Sequence, residues 1–337
     1  MTWHDIWTLA EVKAGKLHEV SFELLTWGRS LADARGCQLC SVVITDQIDE
    51  EELAYLFRYG ADVIYVLKDP DLNDFLVEPY AKALVHLIER YQPEVFLAAA
   101  TTTGRTLMPY VAVKVHAGLT ADCTGLEIDP ETGNLLQTRP AIGGNIMATI
   151  KTPTARPQMA TVRPKSIRIH AESDRKFGKI INVDSPGSLG TDRMRFEAFI
   201  PDATEEVAIE EADVIVSGGY GMQSPANFQW LTRLAEPLNA SVGVSRAAVE
   251  RGWKPYSRQV GLSGKTVAPK LYIACGISGA VQHLAGMQTS QNIIAINLDP
   301  HAQIFQVADL GIVGDVFEIL PALVYKLEKN HQKVATK

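Results

Sequence analysis

Three turns in the second half of the chain carry glycine, serine or a charged residue directly after apolar segments. They are Ser217–Gly221 after DVIV, Ser245-Arg246 after SVGV, and Gly276–Gly279 after LYIAC. Glycine lets a backbone come close to a ligand, and N–H groups at a helix N-terminus bind phosphate. The third turn, followed by the helical pattern AVQHLAG, has the arrangement that a pyrophosphate needs. Most such turns are only turns, but several at one sheet edge indicate a dinucleotide or another long anionic ligand.

A basic stretch rich in Gly and Pro separates the last two turns. Residues 249–272 read VERGWKPYSRQVGLSGKTVAPKLY, with few acidic residues. In a protein of formal net charge −7, this region has a local positive field. A solvated surface loop accounts for its lysines but explains QVGLSGKT less well. Arg246, Arg251, Lys254, Arg258 and Lys265 give rise to this positive field.

Cys37 and Cys40 form a C-x-x-C motif that could indicate a metal or redox site. No second C-x-x-C or nearby histidine pair completes a zinc site, and the four-cysteine run of a ferredoxin-type cluster is missing. Four cysteines in 337 residues do not make a disulfide framework. Cys40 opens the apolar run CSVVIT, so we interpret it as a structural residue in or beside a buried strand.

Short apolar runs alternate with amphipathic stretches in roughly the first two hundred residues. The runs are 37–45, 61–67 and 94–100, and the stretches 51–60 and 77–91 carry apolar residues at helical spacing. Near-continuous apolar strands separated by helices are typical of parallel βαβ units.

The segment TTTGRTLMP (101–109) predicts a Thr/Gly loop that leads into a helix capped by Thr103. This loop could form a catalytic nucleotide site, but no catalytic acid or base accompanies it, which favours a structural role. Pro, Gly and Thr become frequent over residues 120–170. There, MATI and MATV predict short strands added antiparallel to the sheet.

A stretch of Pro, Gly and acidic residues (181–213) predicts a linker. We place the domain boundary between 185 and 210, giving domains 1–200 and 201–337. After the linker, five apolar strands alternate with helical segments, and residues 315–329 predict a closing helix. The predicted fold class is α/β, with two doubly wound, mostly parallel-sheet domains. In such sheets ligands bind outside the carboxyl ends of the strands.

Composition and charge exclude several functional classes. The net charge of −7 disfavours a nucleic-acid partner. No window approaches eighteen consecutive apolar residues, so no membrane insertion is predicted. The N-terminus lacks the basic start and apolar stretch of a signal peptide, and we expect a cytoplasmic protein.

The segment SRAAVERGWKPYSRQVGLSGKTVAPKLYIACGISGAVQHLAGM, followed by NIIAINLDPHAQIFQVADLGIVGD, closely resembles the α subunit of electron transfer flavoproteins. The pattern GISGAxQHxxGM with INxDPxAxIFxxADxGIVxD downstream is highly specific. The N-terminal part is similar more loosely, in layout and length. The resemblance implies an N-terminal Rossmann-like, nucleotide-α-hydrolase-like domain that contacts a β subunit. It also implies a C-terminal FAD-binding domain of flavodoxin-like or Rossmann-like type.

The resemblance also implies which residues hold the FAD. Ser245 and Arg246 would lie near the flavin, with Arg246 against the isoalloxazine ring, and Gln259–Ser263 would wrap the ring edge. Ser278–His283 would meet the diphosphate, with His283 reaching the pyrimidine side of the ring. The full implied set is Ser245, Arg246, Gln259, Val260, Gly261, Leu262, Ser263, Ser278, Gly279, Ala280, Val281, Gln282, His283, and, at the adenosine end, Asn297, Asp315 and Val316.

Two residues depart from the family pattern. Tyr220 stands where family members commonly carry an arginine that contacts the flavin phosphates. Ser263 replaces a threonine that is common in many relatives, and it keeps the hydroxyl group. Asp315 is also placed to cap the closing helix, a role compatible with ligand contact.

These residue types suit a flavin that passes single electrons. Its one-electron-reduced form carries extra negative charge, largely over N1 and the O2 carbonyl. Arg246 supplies permanent positive charge, His283 supplies a donor that can become cationic, and Ser263 offers a hydroxyl to N5. The electrochemistry itself belongs to the cofactor.

The implied function is therefore an electron carrier between a dehydrogenase of the acyl-CoA dehydrogenase type and another redox partner. One FAD would lie on this chain, and a second FAD or AMP on the partner β subunit. The stretch with Trp253 and Tyr256 is similar to the electron-bifurcating branch, which adds NADH and ferredoxin. The alternative is a NAD- or nucleotide-binding α/β enzyme of doubly wound fold. However, the sequence lacks a G-x-G-x-x-G with an acidic residue about twenty positions on, and it shows no Ser-His-Asp order or paired carboxylates.

Overall fold

The computed structural model describes residues 3–141, 146–173, 178–191, 193–198, 200 and 208–335. The chain divides into two compact units. Unit 1 comprises Met1–Pro140 and Met147–Phe199, and unit 2 comprises Ala141–Ile146 and Ile200–Lys337. The predicted linker falls partly on residues 192, 199 and 201–207, which lie outside the described residues. The domain limits 1–200 and 201–337 therefore stay a prediction.

Unit 1 is built around a parallel sheet. In chain order its strands are β1 (His4–Ala10), β2 (Val12–Lys13), β3 (Lys16–Leu17), β4 (Leu39–Thr45), β5 (Val63–Lys68), β6 (Pro93–Ala99), β7 (Gly118–Cys123), β8 (Gly125–Ile128), β9 (Leu135–Pro140), β10 (Met147–Ile150), β11 (Gln158–Val162) and β12 (Lys179–Val183). Seven of them form the main sheet in the order β12-β5-β4-β1-β6-β11-β7, with every pair parallel. Strands β8, β9 and β10 form an antiparallel sheet, and β2 pairs with β3.

Helices cover both faces of the main sheet, which explains its near-continuous apolar strands. Along β1, Ile6 and Ala10 belong to one buried cluster, whereas Trp7 and Leu9 belong to the other. A strand buried on both faces cannot show polar–apolar alternation. The helices are α1 (Val20–Arg35), α2 (Glu50–Arg58), α3 (Val77–Tyr91) and α4 (Thr102–Lys114).

The three predicted strands and two predicted helices of unit 1 are confirmed as β4, β5, β6, α2 and α3. The sequence did not predict β1, which lies at the centre of the sheet, or α1. The first strand begins with the polar pair His4-Asp5 and contains Thr8, so it lacks an unbroken apolar run. The burial of Thr8 is decided by its neighbours on both sides of the sheet.

Four predictions in unit 1 need correction. Thr101, rather than Thr103, caps α4, because Thr101 has extended backbone and its Oγ1 accepts a hydrogen bond from Gly104 N at 3.1 Å. MATV forms β11, which is parallel and lies inside the main sheet between β6 and β7. MATI forms β10, which is antiparallel but belongs to the separate small sheet. The predicted linker begins too early, since Ile181–Val183 belong to the edge strand β12.

Unit 2 is a parallel sheet of five strands with helices between them, as predicted. The strand order is β14-β13-β15-β16-β17, so the first two strands are exchanged relative to the chain. This is the flavodoxin-like order, whose switch point lies between the first and third strands. The elements are β13 (Val214–Gly218), α5 (Phe228–Ala235), β14 (Ser241–Val244), α6 (Arg246–Glu250), β15 (Leu271–Cys275), α7 (Val281–Leu284), β16 (Ile293–Asn297), β17 (Leu310–Val313) and α8 (Val316–Ala335).

Buried side chains fill both faces of this second sheet. On β13, Ile215 packs into one cluster and Val216 into the other. The predicted closing helix is confirmed as α8, whose Leu320 and Val324 are buried in the same cluster as Val216. Within the described residues, none of the helices combines the length and the apolar character needed to cross a membrane.

The buried carboxyl of Glu23 on α1 makes the stability of unit 1 depend on pH. Its Oε2 accepts a hydrogen bond from Lys165 N at 2.6 Å. Burial raises the pKa of Glu23 from 4.5 to about 7, although the bond from Lys165 N opposes this rise. The native state therefore keeps a proton that the unfolded chain loses, and the free energy of unfolding falls as pH rises through this window.

We expect Glu23→Gln, which keeps an acceptor oxygen but cannot ionise, to be more stable than wild type above pH 7. The gain in free energy of unfolding should reach up to about 3 kcal/mol and shrink towards pH 4.5. Urea unfolding at a series of pH values measures it. The exposed Glu89→Gln serves as control and should show no comparable gain. A difference in free energy of unfolding between Glu23→Gln and wild type that does not change with pH would contradict the raised pKa of Glu23.

Candidate functional site

The turns after β13 and β15 meet at the switch point of the unit 2 sheet. Gly219 N donates to Cys275 O, and Gly221 N donates to Gly276 O, both at 2.9 Å. A Cβ atom at Gly219 would lie 2.3 Å from Gly276 O, so no larger residue fits there. The two backbones therefore form a closely packed floor at the carboxyl edge, where ligands bind in sheets of this order.

The turn after β15 presents backbone N–H groups that the protein itself does not use. The N–H groups of Ile277, Ser278 and Gly279 have no hydrogen-bond partner among the described residues. Gly279 has φ +84° and lies against the backbone of Ile304, which excludes a side chain. Successive N–H groups of this kind can bind an anion.

Helix α7, which follows this turn, is shorter than the pattern AVQHLAG predicted, because only Val281–Leu284 are helical. A single turn sums few peptide dipoles. An anion at this turn would therefore depend on individual N–H groups and on charged side chains.

The loop 259–265 is held beside β14 and α7. Val260 N donates to Val244 O at 2.9 Å, and Leu262 N donates to Gln282 O at 2.7 Å. These bonds bring together three segments that are separate in the sequence, namely Ser245-Arg246, Gln259–Ser263 and the turn before His283. The predicted flavin residues of these segments thus lie at one edge of the sheet.

Ser263 is exposed, and its neighbours orient it. Gln259 Nε2 donates to Ser263 Oγ at 3.2 Å, and Tyr256 OH donates to Ser263 O at 2.7 Å. Gln259 is buried, so its amide has a fixed position. Because the Ser263 oxygen accepts from Gln259, its hydroxyl proton is left to donate to a ligand.

His283 is buried and neutral at pH 7. Its Nε2 lies 3.0 Å from the hydroxyl of the buried Tyr272, and its Nδ1, which faces the backbone of Val260, has no hydrogen bond of good geometry to any described residue. Burial lowers the pKa of His283 to about 4, while the backbone of Val260 opposes this shift. The expectation that this imidazole becomes cationic is therefore not met in this environment. It can act as a neutral donor or acceptor.

The Oγ atom of Ser245 is a second buried polar atom without a partner among the described residues. Its N donates to Gly218 O at 3.0 Å, which fixes it beside the switch point, but its Oγ makes no hydrogen bond among the described residues. The neighbouring Arg246 is exposed, and its Nε binds Glu250 Oε1 at 2.7 Å. Buried polar atoms are normally hydrogen-bonded, so Ser245 Oγ and His283 Nδ1 fit a site that is completed by a polar ligand.

The predicted adenosine-end residues follow the next two strands. Asn297 Nδ2 donates to Ile277 O at 2.9 Å, which ties the end of β16 to the turn after β15. Asp315 Oδ1 accepts from Phe317 N at 2.8 Å, so its predicted capping of α8 is confirmed. The side chain of Val316 is buried in the core, and only its backbone could meet a ligand.

The remaining predicted residues divide by exposure. Val260 is buried in the core, and Gly261 packs against the backbone of Gly286. The sequence did not indicate Tyr272, whose hydroxyl orients His283, because a tyrosine within the apolar strand LYIAC is expected to be a core residue. The exposed members are Leu262, Ser278, Ala280, Val281 and Gln282.

The threonine loop of unit 1 uses its polar groups internally. Thr101 Oγ1 donates to Glu11 Oε1 at 2.5 Å, and burial raises the pKa of Glu11. The sequence did not connect this carboxyl with the loop, because they are far apart in the chain. Since Thr101 both caps α4 and binds Glu11, the arrangement supports the structural interpretation of TTTGR.

Cys40 lies in the buried strand β4, as predicted, and burial raises the pKa of its thiol. A raised thiol pKa disfavours the reactive thiolate. In the described part of the chain, no group of three or more His, Cys, Asp or Glu side chains is placed to hold a metal ion.

Comparison with known proteins identifies relatives over nearly the whole chain. The electron transfer flavoprotein domain matches residues 6–187, and the electron transfer flavoprotein FAD-binding domain matches residues 208–288. The chain is 48% identical to the electron transfer flavoprotein subunit alpha of Thermoanaerobacterium thermosaccharolyticum over 97% of this chain and 98% of the relative. It is 46% identical to that of Megasphaera elsdenii over 97% of each chain. The FixB protein of Azorhizobium caulinodans is 43% identical over 95% of this chain and 88% of the relative.

The environment of His283 predicts an unusual titration. Because burial lowers its pKa from 6.5 to about 4, the ring should stay neutral at pH 6, and the free energy of unfolding should fall as pH drops from 6.5 to 4. Nitrogen NMR of histidine-labelled, flavin-free protein measures this, with the resonance assigned by its loss in His283→Gln. Half-protonation of this ring near pH 6.5 would contradict the prediction.

Proposed function

This chain belongs to the electron transfer flavoprotein α-subunit family, and from that premise we propose that it is the FAD-carrying subunit of a heterodimer that shuttles single electrons. A flavin-binding domain and a role in electron transfer follow from the family match. The proposal adds one FAD on unit 2 of this chain, a β subunit as the partner chain, and a cytoplasmic location.

One observation supports FAD on unit 2 most strongly. Buried polar atoms and backbone N–H groups without partners converge on the switch-point edge of its sheet, among them Ser245 Oγ, His283 Nδ1 and the N–H groups of Ile277–Gly279. A dinucleotide offers both a long anionic segment and a polar ring edge, and it could satisfy this set.

When bound, the FAD would supply the one-electron chemistry. Ser263 would donate its hydroxyl proton to the ring, because Gln259 holds the Ser263 oxygen from the other side. His283 would provide a neutral hydrogen-bonding group, held by Tyr272. The permanent positive charge near the ring would come from Arg246, which would exchange or share its contact with Glu250. Asn297 and Asp315 would hold the adenosine end.

We further propose that electrons pass between a dehydrogenase of the acyl-CoA dehydrogenase type and a second redox partner. In the bifurcating form of this function, the partner subunit would carry a second FAD and oxidise NADH, with ferredoxin as one acceptor. In the simpler form, it would carry AMP. The hydroxyl of Tyr256 donates to the backbone carbonyl of Ser263, so a residue of the bifurcating-type stretch lies next to the residue that carries the ring-tuning hydroxyl, which is consistent with the first form.

We expect the heterodimer, produced by co-expressing this chain with a β subunit of the same family, to be yellow and to contain FAD. Absorbance after release of the flavin counts it. One FAD per dimer would remove the bifurcating form, whereas two FAD together with bleaching by NADH would support it. A colourless, intact heterodimer would overturn the proposal and favour the NAD- or nucleotide-binding enzyme.

Arg246→Ala should destabilise the one-electron-reduced flavin, because it removes the permanent positive charge near the ring. A charge-assisted hydrogen bond is worth roughly 1.5–3 kcal/mol, and solvent exposure reduces this. We therefore expect about a tenfold fall in the equilibrium constant for the first electron, or about 59 mV. Anaerobic stepwise reduction followed by absorbance measures it.

Arg233→Ala is the matched control for this variant. Arg233 is also a surface arginine paired with a glutamate, since its Nη2 lies 3.1 Å from Glu328 Oε1. It lies on α5, and Glu328 lies on α8, both away from the proposed ring contacts. An equal loss in both variants, or no loss in Arg246→Ala, would contradict the role given to Arg246.

A further inference from the structure

Tyr220 lies in the turn after β13 and is 59% exposed at the switch point. The guanidinium carbon of Arg251 lies 4.3 Å from the centre of the Tyr220 ring. On the same ring, Trp253 stacks in parallel, with 6.2 Å between centroids and 6° between planes. The structure thus places the guanidinium of Arg251 at the turn where the family pattern has an arginine at position 220 and this chain has a tyrosine.

A stack of side chains from the core fixes this cation. Phe228 is 1% exposed and meets Trp253 edge-on at 6.0 Å. Trp253 N donates to Ala248 O at 3.0 Å, which holds the backbone of this residue against α6. The order from core to surface is therefore Phe228, Trp253, Tyr220 and Arg251. The aromatic rings orient the guanidinium without neutralising it, as cation–π contacts do.

The charge of Arg251 is available to a ligand, unlike the charges of Arg246 and Lys265. Arg246 is paired with Glu250, and Lys265 with Glu210, each at 2.7 Å. Arg251 forms no ion pair with any residue that the structure describes. A planar guanidinium with a fixed position is suited to two phosphate oxygens at once.

The turn before α7 explains why a diphosphate would need a cation here. Helix α7 has four residues and contributes little dipole, so the N–H groups of Ile277–Gly279 alone would face the charge of a diphosphate. We propose that Arg251 binds the diphosphate of the dinucleotide and takes the place of the arginine that the family pattern implies at position 220. Tyr220 and Trp253 are the residues that position it. This inference rests on the proposed function.

The test is the affinity of the flavin-free heterodimer for FAD, measured by quenching of flavin fluorescence, with riboflavin as the ligand that lacks phosphate. We expect Arg251→Ala to raise the dissociation constant for FAD about 10- to 100-fold, as expected for a lost charge-assisted bond. Riboflavin binding should be unchanged. Arg251→Lys should keep part of the affinity for FAD, since lysine keeps the positive charge but lacks the planar guanidinium that binds two oxygens at once.

Two further variants separate binding of phosphate from a general structural effect. Arg233 also lies over an aromatic ring, 5.1 Å from the centre of Trp230, so Arg233→Ala is a matched control and should bind FAD normally. Adding Tyr220→Arg to Arg251→Ala should restore the affinity to within a few-fold of wild type, because the arginine returns to the same turn.

Three results would overturn the inference. The first is an unchanged dissociation constant for FAD in Arg251→Ala. This result would overturn the inference even if electron transfer to the dehydrogenase became slower. The second is an equal loss of riboflavin affinity, and the third is failure of Tyr220→Arg to restore binding. A wild-type heterodimer that binds no FAD would instead overturn the proposed function, so the two failures are distinguishable.

Discussion

The close approach of two backbones at the switch point determines where the other segments of the candidate site in unit 2 lie. Gly219 and Gly276 lie so near each other that a single Cβ would meet a carbonyl oxygen at 2.3 Å. This contact fixes the ends of β13 and β15 and leaves the following N–H groups facing outwards. Because hydrogen bonds then tie the loop 259–265 to β14 and α7, hydroxyl, amide and imidazole groups gather at one edge. A larger residue at either glycine would separate these segments.

Burial decides how the charges of the site are divided. His283 is held by Tyr272 and has a pKa near 4, so the imidazole is neutral at pH 7. Desolvation disfavours its charged form. Positive charge must therefore come from arginines, which stay protonated at any accessible pH. Arg246 and Arg251 are both exposed and lie at opposite ends of the short helix α6. The buried part of the site therefore offers neutral hydrogen-bonding groups, whereas the permanent positive charges lie at the surface.

The two units treat similar motifs differently. In unit 1 the polar groups of the threonine loop satisfy one another, since Thr101 caps α4 and binds Glu11. In unit 2 the corresponding strand-end groups, such as Ser245 Oγ, remain without partners among the described residues. Polar groups that are satisfied internally stabilise a fold, whereas a buried hydroxyl without a partner at a strand end leaves a hydrogen bond that a ligand can supply. This difference supports a structural role for the first loop and binding for the second edge.

The sequence by itself determined the fold class, the strands of unit 2 and the family, because near-continuous apolar runs and the GISGAxQH pattern are local signals. It could not give the central strand β1, in which the polar residues Asp5 and Thr8 are buried by neighbouring elements on both sides. Nor could it give the true cap Thr101, the pairing of MATV within the main sheet, or the neutral state of His283. These depend on contacts between residues far apart in the chain. The stack that places Arg251 over Tyr220 is of the same kind, since only tertiary packing brings a helix end to a distant turn.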